Sequence, residues 1–95
     1  MSLTVGSTYE FTLIANKDGV PWDLTGATLT LYLHDPNGVV SAKSASLGSS
    51  ANVAVYDSLT SDLYVAGTWT RTWRVQHNGL DVKSRPKIFE VLQAP

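Results

Sequence analysis

Few side chains in this sequence could do chemistry. His34 and His77 are its only histidines, and neither lies in an HxH or HExxH spacing. A zinc site would therefore need ligands gathered from distant strands. A serine hydrolase needs a serine activated by a histidine that a carboxylate orients. Serines are plentiful, but none occupies a G-x-S-x-G elbow. A glycosidase needs two carboxylates held at a fixed separation; Asp57 and Asp62 flank a stretch where helix capping and solvation account for both. The Asp35-Pro36-Asn37-Gly38 segment offers calcium one charged oxygen donor, against the six to eight oxygens its shell takes, so a turn is the simpler account. The glycines stand singly at turns and form no phosphate loop. There is no cysteine, hence no disulfide and no thiolate metal site. These residue types point away from catalysis, metals and cofactors.

What remains is recognition chemistry. Trp22 lies in the Gly19-Val20-Pro21-Trp22-Asp23 connection, and Tyr32 falls on the polar side of its strand. With Tyr64, either could stack on a sugar or anchor a protein interface, or simply cover the rim of a small core. The net charge of −1 conceals an asymmetry: Glu10, Asp18, Asp23, Asp35, Asp57 and Asp62 against Lys17 and Lys43 give residues 1–63 a net −4. Arg71, Arg74, Lys83, Arg85 and Lys87 against Asp81 and Glu90 give residues 64–95 a net +3. Trp22, Tyr32, Arg71, Arg74, Lys83 and Arg85 are the candidates for binding a partner. Nucleic acid is disfavoured as that partner, because the whole-chain pI of about 6.0 lacks the basic signature such binders carry.

The elements that position these residues read as strands. Tyr9, Phe11 and Leu13 alternate with polar neighbours, as do Ala27, Leu29, Leu31 and Leu33, then Trp69, Trp73 and Val75; Val53 and Val55 sit in Asn52-Val53-Ala54-Val55-Tyr56, and Phe89 and Val91 alternate with Ile88, Glu90 and Leu92. His34 should face away from the Leu29/Leu31/Leu33 side. Lys17-Asp18-Gly19, Asp35-Pro36-Asn37-Gly38 and His77-Asn78-Gly79 supply turns, and Asn78-Gly79 predicts a type I′ hairpin joining strands at 68–77 and 80–84. Pro86 marks an edge or bulge before a last strand near Lys87. Ser41 to Ala51, small and polar, predicts a weak edge strand and a mobile loop. One short helical turn is predicted near 59–64, capped by Ser58 or Thr60, with Asp62 in its first turn and Gly67 ending it. Strict alternation places Arg71 inward between Trp69 and Trp73. An unpaired buried guanidinium would cost several kcal/mol, so a ring beneath it or a bulge turning it outward is required.

The 43% apolar and 16% charged composition is globular, with Ser and Thr replacing charge, as suits strands and turns. No apolar run approaches the roughly 18 residues of a membrane span, and no basic start followed by an apolar stretch suggests a signal peptide. About seven strands with turn signals every 8–12 residues predict one domain over 1–95, an all-β, immunoglobulin-like antiparallel β-sandwich.

The order of the segments resembles a known group. Gly6 to Leu13, then Gly19-Val20-Pro21-Trp22-Asp23-Leu24-Thr25-Gly26-Ala27-Thr28-Leu29, then Asp35-Pro36-Asn37-Gly38 resemble the immunoglobulin-like modules of tailed-phage structural proteins, such as the N-terminal domain of baseplate upper proteins and related prophage tail proteins. Asp62-Leu63-Tyr64-Val65-Ala66-Gly67-Thr68-Trp69 and Trp73-Arg74-Val75 are similar to further segments of that group. Trp69 stands where the group has Tyr, and Arg71 where it has a small residue. The resemblance spans nearly the whole chain. It implies a non-enzymatic virion component of a tail, baseplate or head–tail region, made in the bacterial cytoplasm, whose partners are other phage structural proteins or further copies of itself. It brings no catalytic residues and no cofactor. A carbohydrate-binding or adhesion module is the alternative expectation.

Overall fold

The computed structural model describes residues 2–93. It is all-β, with 56% strand and no helix. The described residues form β1 (Ser2–Thr4), β2 (Glu10–Ile14), β3 (Asn16–Lys17), β4 (Val20–Pro21), β5 (Thr28–His34), β6 (Val40–Ser44), β7 (Ser46–Leu47), β8 (Val53–Asp57), β9 (Gly67–His77), β10 (Leu80–Lys83) and β11 (Lys87–Leu92). One curled sheet runs β1-β11-β9-β5-β6, with β10 also on β9; β2-β8-β7 form a second sheet, and β3-β4 a small hairpin. There are more strands than the seven expected: β1, the short β3–β4 hairpin and β7 are added. The chain bends at Ala45 between β6, in the large sheet, and β7, in the small one. Pro86 has no N–H for a ladder. β10 and β11 therefore lie against successive parts of β9, Arg74–His77 and Gly67–Arg71, with the break at residues 84–86.

Alternation explains the core. In β5 the buried positions are Leu29, Leu31 and Leu33, and Trp69, Trp73, Val75, Phe89 and Val91 join them from β9 and β11. Burying each such leucine stabilises the fold by about 2 kcal/mol. Phe11 and Ala54 close the core from the small sheet. The Phe11 ring lies 5.6 Å from Phe89, and Trp69 stacks on Phe89 at 6.1 Å.

Turn chemistry follows the residues that demand it. Asn78 (φ 49°) and Gly79 (φ 78°) both sit in the left-handed region, and Leu80 pairs with His77, which is the two-residue type I′ hairpin expected of Asn-Gly. Asp35 builds the β5–β6 turn. Its carboxylate accepts the N–H groups of Asn37 (2.9 Å) and Val39 (2.8 Å) and the hydroxyl of Tyr64. That turn also explains Gly67. A Cβ there would lie 2.5 Å from Pro36 Cγ, at a φ of +139°. Gly67→Ala is therefore expected to cost about 2 kcal/mol, read as a fall in the urea midpoint; an unchanged midpoint would mean the Pro36 turn moves aside freely.

Three expectations are corrected. The helical turn near 59–64 does not form. One hydrogen-bonded turn closes from Asp62 N to Leu59 O (3.0 Å), but a single turn does not repay helix nucleation. The Asp62 carboxylate folds back onto Leu59 N–H (2.8 Å) and Tyr56 Oη (2.6 Å), and Leu63 is drawn into the core. Ser58, expected as a cap, instead accepts Tyr9 N–H at 2.9 Å, and Gly67 opens β9 rather than ending a helix. The pairing is not purely antiparallel, because β1 runs parallel to β11. In β8 the buried side chain is Ala54, not Val53 or Val55, because β8 pairs Ala54 with Leu13 and Tyr56 with Phe11. The 41–51 stretch does form an edge strand, β6, followed by the short β7 and by turns from residue 48.

Candidate functional site: a cationic cleft beside an open strand edge

β2 borders the small sheet on one side only. Its partner β8 takes the odd positions: Ser58 N–H bonds to Tyr9 O (2.9 Å) and Ala15 N–H to Asn52 O (2.8 Å). Because the two sides of an antiparallel strand alternate, the backbone groups of Glu10, Thr12 and Ile14 point to the open edge. Thr12, Leu13 and Ile14 form one wall of a cleft of about 300 Å³, and Arg71 and Trp73 with Ser84, Arg85 and Lys87 form the other. Ser84 is fixed by two bonds to Trp73, its N–H donating to Trp73 O (2.9 Å) and its Oγ accepting Trp73 N–H (2.9 Å). A shallower extension of about 180 Å³ continues past Trp73 to Trp22, Val75 and Val82.

Arg71 resolves half of its conflict. Its Cζ stands 5.5 Å from the Phe11 ring centroid, the cation–π arrangement that inward alternation required. The other half stands open, since its Nη1 is buried without a hydrogen-bond partner among the described residues. Its direct cross-strand neighbour is Lys87, and like charges placed so are destabilising. No carboxylate among the described residues lines the cleft. Among the described residues the ion pairs are Lys43–Asp62 and Arg74–Asp81, so Arg71, Arg85 and Lys87 bring uncompensated positive charge to one place.

The other sequence candidates lie elsewhere. Arg74 sits on the outer face of the large sheet, donating from Nε and Nη2 to Asp81 (2.9 and 2.7 Å) and from Nη1 to Tyr32 Oη (3.3 Å). Hydrogen bonding to Asp81 and Tyr32 pushes the Arg74 pKa up, and the bond from Arg74 holds the Asp81 carboxyl below its usual range. Lys83 adjoins Tyr32, His34, Val40 and Thr72 in a shallow hollow on the same face. The structure thus divides the six candidates: Arg71 and Arg85 in the cleft, Trp22 at its far end beside His77 (6.1 Å between rings), and Tyr32, Arg74 and Lys83 outside. The three rings considered for sugar stacking are not brought together. Each has its own neighbour: His77 for Trp22, the Arg74 guanidinium for Tyr32, and the Trp69 edge (5.6 Å) for Tyr64. Sequence reasoning left Lys87, Ser84 and the Thr12–Ile14 edge out of the binding candidates. The Arg85-Pro86-Lys87 run, basic on both sides of a strand break, was the signal for the first.

A separate polar knot fixes the sheets. Asp62 is buried, with Lys43 Nζ 3.0 Å away. Burial raises its pKa, but the hydrogen bonds from Tyr56, Leu59 N–H and Lys43 outweigh burial and hold the carboxyl below its usual range. Burial and the same bond push the Tyr56 hydroxyl up to about 12. At the Asp35 turn the hydrogen bond from Tyr64 lowers the carboxyl pKa, and the backbone N–H groups add to this against burial. Among the described residues no group of three or more His, Cys, Asp or Glu is placed to hold a metal ion, and no helix is long and apolar enough to cross a membrane. Comparison with protein-family models, curated proteins and solved structures returns no match.

Proposed function

We propose that this chain is a non-enzymatic assembly module of a phage or prophage virion, built as an immunoglobulin-like sandwich and acting through protein–protein contacts in a tail, baseplate or head–tail region. The observation that carries this reading is the strand order. Reading β2, β8 and β7 as B, E and D, and β6, β5, β9 and the broken β10/β11 line as C′, C, F and G, gives an order compatible with an immunoglobulin-type sandwich, which supports the fold half of the reading. The segments that carry the resemblance stand at strand borders: Asp23–Leu29 leads into β5, Asp35–Gly38 ends it, and Asp62–Trp69 leads into β9. Immunoglobulin-like domains anchor that last corner with a Tyr hydroxyl bonded to backbone upstream. Here Trp69, in the place of the Tyr, donates its indole N–H to Val65 O at 2.9 Å. Fold alone does not carry function. The functional half of the reading rests on the segment order and on the open β2 edge with its cationic flank.

Light scattering across protein concentration, at low and high salt, tests self-assembly. A ring-sized species that loosens with salt is expected if acidic and basic surfaces of successive copies meet, since heterologous contacts close into rings when their rotation allows. A strict monomer throughout removes self-assembly. Pull-down from infected or prophage-bearing cells then decides the rest, and recovery of no virion protein would overturn the reading.

A further inference from the structure

We infer that the cleft beside β2 receives an extended, acidic segment of a partner protein, which adds to the open edge of β2 and places a carboxylate on Arg71. This deepens the assembly reading and rests on it. Three observations converge. Thr12 and Ile14 present unpaired backbone groups at that edge, the template strand addition uses. Open edges are commonly blunted by Lys, Pro or short length, yet β2 carries no lysine and no proline, its one charge is Glu10 at the start of the strand, and Ile14 is 65% exposed. Second, the facing wall brings Arg71, Arg85 and Lys87 together with no acid among the lining residues, so charge complementarity selects an anionic occupant.

Third, the buried, unpartnered Nη1 of Arg71 beside the like-charged Lys87 is a local cost the fold does not need. Leucine or methionine between Trp69 and Trp73 would suit the inner face better. A carboxylate on the accessible side of the guanidinium, shared with the Lys87 ammonium, would neutralise the like-charged pair, and a guanidinium fork fits a carboxylate bidentately. An extended strand is favoured over a free anion because backbone donors and acceptors lie along the same cleft. Alternate side chains of the added strand would then face Leu13, Trp73 and Trp22 along the extension.

The test uses the ¹⁵N-labelled chain and two probes: a blocked peptide of alternating valine and glutamate, and citrate. Peptide binding is expected to shift the Thr12 and Ile14 amides together with the Arg71 Nε–H and Ser84 signals. Arg71→Met should weaken the peptide at least tenfold while leaving the melting temperature unchanged or higher. Thr12→Pro removes an N–H that β8 does not use. It should keep the fold and the citrate response while abolishing peptide binding. No response to either probe overturns the inference. A citrate response without peptide binding, or peptide binding indifferent to Thr12→Pro, overturns strand addition and leaves an anion site. The same shifts appearing with protein concentration alone would assign the cleft to a second copy and overturn the partner-protein assignment. None of these readouts depends on light scattering or pull-down, so failure of the assembly reading and failure of the cleft assignment are told apart.

Discussion

Trp69→Ala is expected to lower the unfolding free energy by about 4 kcal/mol, out of a total of roughly 5–15 kcal/mol for a domain of this kind. Trp69 is 1% exposed, stacks on Phe89, and meets Tyr64 edge-on. Truncation leaves a cavity bounded by these rings and removes the only donor to Val65 O among the described residues. Trp69→Phe should recover part of the loss by refilling the space, yet not the hydrogen bond, which is worth about 1 kcal/mol. Urea unfolding of the three proteins checks both steps. A midpoint for Trp69→Ala equal to that of the parent would mean the corner repacks without the indole.

Asp62→Ala is expected to cost about 3 kcal/mol, because removing a buried carboxylate leaves the groups bonded to it unpaired. Here it strands Lys43, the Tyr56 hydroxyl and Leu59 N–H together. The same residue sets part of the acid limb of the stability curve. Its folded pKa lies below the usual carboxylate value, so its contribution is fully present above the unfolded value of roughly 4 and is lost as pH falls through the folded value. Asp62→Asn should therefore be less stable at neutral pH and show a flatter decline below about pH 4. Asp35 and Asp81, also lowered, contribute equally to both curves and cancel in the difference. Parallel curves would show that Asp62 is not ionised differently on folding.

How much of this was legible depends on how local each cause is. β5 announced itself, because every second residue from Leu29 to Leu33 is apolar and the strand buries that one face. Asn78-Gly79 specified its own turn, since few residues accept positive φ twice in succession. Arg71 could be read as a residue in need of a partner, and Phe11 proved to be one. The failures share a longer reach. Ala54 yields to its valine neighbours on β propensity, and only pairing with Leu13 across β2 reveals it as the inner residue. The helical turn had plausible caps, but Ser58 and Asp62 were committed to Tyr9, Tyr56 and Lys43, contacts invisible in a local window. The parallel partner of β1 could not be read from Ser2-Leu3-Thr4, three residues with too little pattern to count. The cleft was half legible: its charges were conspicuous, but their convergence needed the β9–β11 register that sets Lys87 opposite Arg71.

The parallel pairing of β1 with β11 has a mechanical consequence. Ser2 lies beside Glu90 and Thr4 beside Leu92, so the chain enters at one end of this ladder and leaves at the other. Tension applied between those two ends runs along both strands in opposite senses. It shears the ladder, including the bond from Val5 N–H to Leu92 O, so the bonds are loaded together instead of being peeled off one by one. A module strung in line with its neighbours would resist extension at its first and last strands, and the force to open it would be set there.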